Sequence, residues 1–281
     1  MEQGQLRSPA QGRSRKSRFV LRLSGAALAL SIALPSLQTP AAANGGACGT
    51  SQGIFTARGA IGSIKAKLAR HESVRILAIG SSSTEGIGAS SPDHSYPAQL
   101  EDDLEARWKE NVTVVNAGRG GETAIQTIER LEAALKAEPF DLVIWQVGTN
   151  DAVNGVDEER FRALLDQGIS AAQKAGTPMI LLDQQYFPTI KDLARYERFV
   201  EAVGATGDTR KVSVFSRYAL MKGWNSRSPE DLRAMLSADG FHMGDRGYDC
   251  LAGGVADAIH RMTSQPVAEA QVQMFATARD R

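Results

Sequence analysis

The chain has 281 residues, of which 42% are hydrophobic, 23% are charged and 6% are aromatic. This composition excludes a collagen-like or generally disordered chain, and the length suits one large domain or two small ones. The formal net charge is zero, but residues 1–43 hold six basic side chains and one acidic one, so the remainder carries 26 basic and 31 acidic groups. A mildly acidic body argues against nucleic acid as the main partner.

The N-terminus has the pattern of a secretory signal peptide. A polar, basic stretch to about residue 23 leads into an apolar run, and small residues follow that end in Ala41-Ala42-Ala43. Arg22 and Pro35 interrupt the apolar run, so it is a poor membrane-spanning helix, and a retained anchor is the less favoured alternative. We predict cleavage of residues 1–43 after Ala43, export to the periplasm or the medium, and no stable membrane insertion.

Export would place the two cysteines, Cys48 and Cys250, in an oxidising compartment where they can pair. A disulfide between them would close a very long loop and contribute on the order of 4–5 kcal/mol in the chain-entropy account. Two buried, unpaired thiols are the alternative.

The rest of the chain alternates apolar runs with helical patterns. An amphipathic helix is predicted over about residues 56–71. Strands are predicted at residues 74–80, 112–117, 141–147, 178–183 and 211–215, and further helices at 96–108, 123–136, 157–175, 192–204 and 245–262. This alternation predicts an α/β domain with a parallel sheet covered on both faces, because most of the strands are apolar on both faces. The domain would span residues 74–262, with residues 44–73 packed on it and residues 263–281 as a tail.

Ligands bind at the carboxyl ends of the strands in an open parallel sheet, so the residues that follow each strand are informative. The first strand runs into Gly80-Ser81-Ser82-Ser83-Thr84-Glu85-Gly86. A serine at such a strand-to-helix turn can present its hydroxyl above the sheet, although ordinary helix capping uses the same residues. A phosphate loop is excluded because no Lys-Ser or Lys-Thr follows. A dinucleotide loop is not supported, because the second strand ends without an acid for a ribose.

Two more strands are followed by residues that are suited to binding an anion. The second is followed by Asn116-Ala117-Gly118-Arg119-Gly120-Gly121, whose glycines allow the backbone N–H groups to approach a ligand. The third is followed by Gly148-Thr149-Asn150-Asp151, in which the Asn150 amide can donate to an oxyanion. A glycine-rich turn and an Asx-turn are the respective alternatives.

An aspartate and a histidine precede the last predicted helix, in Asp239-Gly240-Phe241-His242. At this spacing the carboxylate can fold back onto one imidazole nitrogen and leave the other free as a base, whereas a surface histidine is the alternative. Histidine, cysteine and acidic residues show no metal-ligand spacing, so no metal and no cofactor are expected. A serine, anion donors and an Asp–His pair are the groups needed for acyl transfer through a serine ester.

These motifs resemble the four blocks of the SGNH hydrolases, also called the GDSL-like esterase/lipase family, over residues 74–262. The resemblance implies a flavodoxin-like, three-layer α/β/α fold. It also implies catalytic roles for Ser82, Asp239 and His242, and an oxyanion hole formed by Ser82, Gly121 and Asn150.

Two residues depart from the family pattern. Ser81 stands where the family usually has an aspartate before the nucleophile, which changes how the turn is braced. Met243 stands where proline is common after the histidine, which predicts a less rigid loop.

Exported members of this family act on acetylated sugars, lysophospholipids, thioesters and simple esters. The form Gly148-Thr149-Asn150-Asp151 resembles that of carbohydrate acetylesterases, and the low aromatic content argues against a lipid lid. We therefore expect short-chain acyl esters, such as acetyl, on a small polar or carbohydrate carrier. The alternatives are a longer-chain lysophospholipase or thioesterase, and an acyltransferase that uses the same triad. A non-catalytic glycan-binding relative is disfavoured because the triad is intact.

Three residues near the strand ends are candidate substrate contacts: Arg119, Gln146 and Tyr186. A solvated surface position is the alternative for Arg119, and a packing role is the alternative for Tyr186. The sequence makes no prediction of the oligomeric state.

Overall fold

A computed structural model of the chain describes residues 48–49, 53–58 and 61–264. The predicted signal peptide and the tail beyond residue 264 lie outside these residues. Strands in the described part are β1 (Phe55–Thr56), β2 (Val74–Gly80), β3 (Val112–Gly118), β4 (Leu142–Gln146), β5 (Met179–Leu182) and β6 (Ser213–Phe215). The α-helices there are α1 (Gly62–Leu68), α2 (Ser82–Glu85), α3 (Tyr96–Trp108), α4 (Ala124–Ala137), α5 (Thr149–Val153), α6 (Glu158–Lys174), α7 (Leu193–Arg210), α8 (Arg217–Arg227), α9 (Pro229–Arg233) and α10 (Asp245–Ser264).

The strands form one sheet in the order β1-β6-β5-β4-β2-β3, and β2 to β6 pair in parallel. Strand β2 lies between β3 and β4 in the sheet. The connection after β2 therefore leads to one side of β2, and the connection after β3 leads to its other side. Connections that leave in opposite directions open a crevice at the carboxyl ends of neighbouring strands, where ligands bind in such sheets. The crevice here lies between β2 and β4.

The central strands are apolar on both faces because each face has its own core. Successive side chains of a strand point to opposite faces, so Ile76 and Ile144 lie in one core, whereas Leu77 and Val143 lie in the other. Nearly continuous runs of Val, Ile and Leu are expected for such strands.

Helices cover both faces of the sheet. One core contains residues of α1, α3, α8 and α10: Ile64, Leu104, Trp224 and Val255. The other contains residues of α4, α6 and α7: Ile128, Leu165 and Val203. Right-handed crossovers place helices on opposite faces when the strands step in opposite directions, which accounts for α3 and α4 facing different cores. The predicted three-layer α/β/α fold is confirmed.

The N-terminal part of the described chain differs from its prediction. The expected helix over residues 56–71 is replaced by β1, which pairs antiparallel with β6, and by the shorter helix α1. The pairing extends beyond the strand, because Ser216 N donates to the Ile54 carbonyl at 2.6 Å. Helices α8 and α9 were not predicted at all.

None of the helices in the described residues combines the length and the continuous apolar character needed to cross a membrane.

Candidate active site

Ser82 lies at the first turn after β2 and is the first residue of α2. Its hydroxyl donates to His242 Nε2 across 2.9 Å, although the two residues are 160 positions apart in the sequence. The strand end places the serine at the carboxyl edge of the sheet, and the loop before α10 brings the histidine to it. The two predicted residues therefore meet in the crevice between β2 and β4.

Asp239 completes a hydrogen-bonded line with these two side chains. With its proton on Nδ1, His242 donates to Asp239 Oδ2 at 2.6 Å, which leaves Nε2 as the acceptor for Ser82. The second carboxylate oxygen accepts from the backbone N–H groups of Phe241 and His242, both at 2.9 Å, and from the Ser237 hydroxyl at 2.7 Å. The carboxylate thus fixes both the imidazole and the turn that carries it.

The pKa of Asp239 lies well below its ordinary value. Burial acts to raise this pKa, but the hydrogen bonds donated by His242, the Phe241 N–H, Ser237 and the His242 N–H outweigh it. Asp239 is therefore a carboxylate at neutral pH and can stabilise a positive charge on the imidazole.

The loop around His242 is held closed by its own backbone. Leu236 and Met243 form an antiparallel bridge, and Ser237 N donates to the His242 carbonyl at 2.9 Å. The side chain of Met243 is fully buried. Backbone pairing and burial therefore hold the segment in which Met243 stands where the family commonly has proline.

The segment after α2 is tied to the end of this loop. Ser90 donates to Asp245 through both its backbone N–H and its hydroxyl, each at 2.7 Å. The Tyr248 hydroxyl donates to the Ile87 carbonyl at 2.6 Å. Both contacts keep the chain that follows Ser82 against the start of α10, which begins at Asp245, shortly after His242.

Gly121 and Asn150, the predicted anion donors, lie on segments that are joined by a hydrogen bond. Gly121 has a φ of 78°, which favours glycine. Neither its N–H nor that of Ser82 has a hydrogen-bond partner among the described residues. Asn150, in α5, donates its side-chain amide to the Glu122 carbonyl at 2.8 Å, so it is joined to the residue next to Gly121.

Arg130 braces this region and was not identified from the sequence. Its guanidinium pairs with the Glu122 carboxylate and donates to the Ala117 carbonyl at 2.6 Å and the Gly80 carbonyl at 3.2 Å. One side chain thus links the ends of β2 and β3 to the loop that carries Gly121. The partners are 8, 13 and 50 positions away in the sequence, so local patterning gives no signal for them.

Gln146 does not take an exposed position. It is buried beneath the turn, where its Oε1 accepts from Ser81 N at 2.9 Å, Ser81 Oγ at 3.1 Å and Thr84 Oγ1 at 3.2 Å. This amide oxygen braces the turn in which Ser81 replaces the usual aspartate. The residue predicted to touch substrate is thus a support for α2.

The other two predicted substrate contacts lie in different surroundings. Arg119 is exposed on the loop that carries Gly121. Tyr186 is half-buried, packs edge-to-face against Tyr218 at 5.6 Å between ring centroids, and accepts a hydrogen bond from Asn225 at 3.3 Å. Among the three predicted substrate contacts, only Arg119 combines an exposed side chain with a position on the loop of Gly121.

The structure pairs Cys48 and Cys250 in a disulfide. In the described residues, a group of possible metal-binding atoms is formed by these two sulfurs and Asp249. Thiolates are the form of cysteine that binds metals, and both sulfurs are already bonded to each other. This group is therefore not a metal site in its oxidised state.

An α/β/α fold with serine, histidine and aspartate in one line at the carboxyl edge of the sheet is the architecture of the SGNH hydrolases. The chain belongs to the non-GDSL lipase-like family, whose family model matches residues 47–265.

Two curated relatives are similar to this chain in sequence. The chain is 27% identical to the esterase TesA of Pseudomonas aeruginosa over 169 residues, which are 59% of this chain and 78% of TesA. It is 29% identical to thioesterase 1/protease 1/lysophospholipase L1 of Escherichia coli K12 over 107 residues, 38% of this chain. This match spans only 49%, about half, of the Escherichia coli protein.

Two crystal structures share the fold. A structure of TesA aligns with a TM-score of 0.58 and 24% identity, over 67% of this chain and 99% of TesA. A two-domain esterase active on acetylated mannans aligns with a TM-score of 0.62 and 20% identity, over 76% of this chain and 57% of the esterase.

Proposed function

We propose that this protein is a serine ester hydrolase with Ser82 as nucleophile, His242 as general base and acid, and Asp239 as the residue that orients the imidazole. The observation that carries the proposal is the line of two hydrogen bonds, 2.9 Å from Ser82 to His242 and 2.6 Å from His242 to Asp239. A nucleophile within reach of a base, which is itself held by a third group, is the arrangement that activates a serine hydroxyl.

The reaction proceeds through an acyl-enzyme. Ser82 Oγ attacks the ester carbonyl carbon while its proton passes to His242 Nε2, and Asp239 stabilises the imidazolium. His242 then gives that proton to the leaving alcohol as the ester bond breaks. A water molecule attacks the acyl-enzyme, His242 takes its proton, and the carboxylic acid leaves as Ser82 regains a hydrogen.

The negative charge of each tetrahedral intermediate would be met by the N–H groups of Ser82 and Gly121 and by the Asn150 amide. Two of these donors have no protein partner in the described residues, and Asn150 retains a second amide hydrogen beside the one that binds Glu122. Donors fixed before the reaction begins stabilise the transition state without reorganisation.

Two similarities support a short acyl group on a polar carrier. The form Gly148-Thr149-Asn150-Asp151 resembles that of carbohydrate acetylesterases. A two-domain esterase that shares the fold is active on acetylated mannans. We infer short-chain acyl esters, such as acetyl, on a polar or carbohydrate carrier, with Arg119 available to contact an anionic group of that carrier.

Hydrolysis of longer acyl chains is the second candidate, and two exposed apolar side chains favour it. Ile87 follows α2 and is 42% exposed, and Val153 ends the helix of Asn150 and is 57% exposed. An acyl chain lying across either side chain would cover apolar surface that now faces water. Transfer of the acyl group to a sugar hydroxyl would use the same residues, with the acceptor in the place of water.

A p-nitrophenyl ester series from acetate to decanoate tests the proposal on the purified full-length protein. We expect activity to be highest for acetate and propionate and to fall by roughly 10³-fold or more in Ser82→Ala. The control is Ser226→Ala in α8, which removes an exposed hydroxyl that donates to the Lys222 carbonyl and keeps the nucleophile. A maximum at eight or more carbons contradicts the short-chain preference, and equal activity of wild type and Ser82→Ala contradicts the mechanism. Acylated sugar formed in place of free acid would identify a transferase.

A further inference from the structure

Gln185 joins the two loops that carry the proposed nucleophile and base. It follows β5, and only 1% of its surface is exposed. Ser83 Oγ donates to Gln185 Oε1 at 2.8 Å, and Gln185 Nε2 donates to the Phe241 carbonyl at 2.9 Å. One side-chain amide therefore bridges α2 and the loop before α10.

Both partners are direct sequence neighbours of the residues proposed to react. Ser83 follows Ser82, and Phe241 precedes His242. Since Ser82 and His242 are 160 positions apart, their separation depends on tertiary contacts between α2 and the loop. We propose that Gln185 is a positioning residue that sets the distance between Ser82 Oγ and His242 Nε2; this inference rests on the proposed serine hydrolase function.

The chemistry of the bridge requires an amide. Its oxygen accepts on the Ser83 side and its nitrogen donates on the Phe241 side, so a carboxylate could not replace it without facing the Phe241 carbonyl as a second acceptor. The backbone of Gln185 is fixed as well, because the buried Tyr196 hydroxyl donates to its carbonyl at 2.7 Å. The backbone of Gln185 is thus fixed, and both the oxygen and the nitrogen of its side-chain amide are hydrogen-bonded.

The preceding residue provides a matched control. Gln184 is also a glutamine, is 0% exposed, and has a side-chain amide without a hydrogen-bond partner among the described residues. Replacing either glutamine with methionine keeps the approximate length of the side chain and removes the amide. Only the change at Gln185 breaks the bridge.

The test compares Gln185→Met with Gln184→Met in the full-length protein. We expect Gln185→Met to lower kcat by about 10- to 100-fold, because a small misplacement of reacting groups costs rate, and to leave KM within about twofold. The rate of covalent labelling by a fluorophosphonate, in which Ser82 Oγ displaces fluoride, should fall in proportion. Gln184→Met should keep kcat and the labelling rate within about threefold of wild type.

Ser83→Ala is the second variant, in case Gln185→Met does not fold. It removes the hydroxyl side of the bridge while Gln185 remains, and we expect a decrease of about tenfold in kcat and labelling rate. A folded Gln185→Met with wild-type kcat and labelling rate overturns the inference, as does an equal loss in the two methionine variants. A wild-type protein that neither hydrolyses esters nor is labelled contradicts the proposed function itself. A wild type labelled at Ser82 at the same rate as Gln185→Met contradicts the positioning role alone.

Discussion

At the scale of single residues, the environment of Asp239 determines the expected pH dependence. Burial opposes ionisation, but hydrogen bonds from His242, the Phe241 N–H and Ser237 keep the pKa of Asp239 well below its ordinary value. The hydrogen bonds that Asp239 accepts as a carboxylate are therefore fully present at every pH above the ordinary pKa of an aspartate. They are lost only when the pH falls through the lowered pKa.

We therefore expect the Asp239 carboxyl group to stay ionised down to about pH 4, where unperturbed aspartates titrate. The measurement is the pH dependence of the carboxyl carbon NMR shift in protein labelled with carbon-13 aspartate, with Asp239→Asn to assign the signal. A titration midpoint above pH 4 for this carboxyl group would contradict the prediction.

The hydrogen bond from His242 to Asp239 can be tested by Asp239→Asn. An asparagine amide can donate to the imidazole and select the other tautomer, so we expect kcat to fall by roughly 10³- to 10⁴-fold. The readout is the steady-state rate with p-nitrophenyl acetate. The control is Asp166→Asn, which alters an exposed carboxylate that pairs with Arg210 at 2.8 Å between α6 and α7 and has no contact with the proposed reacting groups. A loss of less than tenfold in Asp239→Asn would contradict the orienting role.

At the scale of elements, α2 is packed directly against the end of β3. A Cβ on Gly118 would overlap the backbone nitrogen of Glu85, and backbone cannot move aside as a flexible side chain can. We expect Gly118→Ala to shift α2, to lower kcat at least tenfold and to destabilise the fold by about 1–3 kcal/mol. Denaturant unfolding and ester hydrolysis check both effects.

The control for this change is Gly204→Ala in α7, where a Cβ would meet nothing within 4 Å. An alanine inside a helix is more favourable than a glycine by about 0.5–1 kcal/mol, so this variant should be at least as stable as wild type and equally active. Equal behaviour of the two alanine variants would show that the contact between Gly118 and α2 is unimportant.

Glu85 gives a second prediction for α2. Its carboxylate accepts from Gly120 N at 2.6 Å, which holds the loop of Gly121 beside the nucleophile. We expect Glu85→Ala to lower kcat by about tenfold because it removes the hydrogen bond to Gly120 N. Glu85→Gln should retain more activity because its amide oxygen can still accept this hydrogen bond. The ratio of the two kcat values is the measurement. Equal values in the two variants would exclude the hydrogen bond as the cause.

The elements that the sequence predicts well are those with a local pattern. Strands β2 to β5 are rich in Val, Ile and Leu and can be recognised directly, whereas β6 is the short segment Ser213–Phe215. The Asp–His spacing of residues 239–242 fits one turn. The two-residue strand β1 is too short for any period, and Arg217, fully buried at the start of α8, interrupts the apolar pattern of that helix. Gln185, Arg130 and Gln146 act through partners far along the chain, which only the folded arrangement reveals.

At the scale of the whole molecule, the disulfide joins positions that are 202 residues apart. Closing a loop of this length lowers the entropy of the unfolded chain and contributes about 4–5 kcal/mol in the chain-entropy account. We expect reduction to lower Tm by on the order of 10 °C, whereas a Cys48→Ser/Cys250→Ser variant should show the lower Tm with and without reductant. A wild-type Tm that is insensitive to reductant under unfolding conditions would contradict this contribution.

Export is the other proposal at this scale. We propose that residues 1–43 are removed during secretion, which would deliver the cysteines to a compartment where the disulfide forms. N-terminal sequencing of the protein recovered from the periplasm or medium tests this, with Asn44 as the expected first residue. A protein recovered with its first residues intact would contradict cleavage.

The closed loop between Leu236 and Met243 has a consequence for how activity arises during refolding. Its backbone pairing and the contacts of Asp239 with Ser237, Phe241 and His242 join residues that are close in sequence, so the acid–base pair can assemble early. Ser82 is 160 positions from His242 in the sequence, so the contact between them forms only after the sheet and both helical layers have assembled. The recovery of esterase turnover should therefore lag behind the recovery of helical circular dichroism, which makes enzyme activity a reporter of the last tertiary contacts to form.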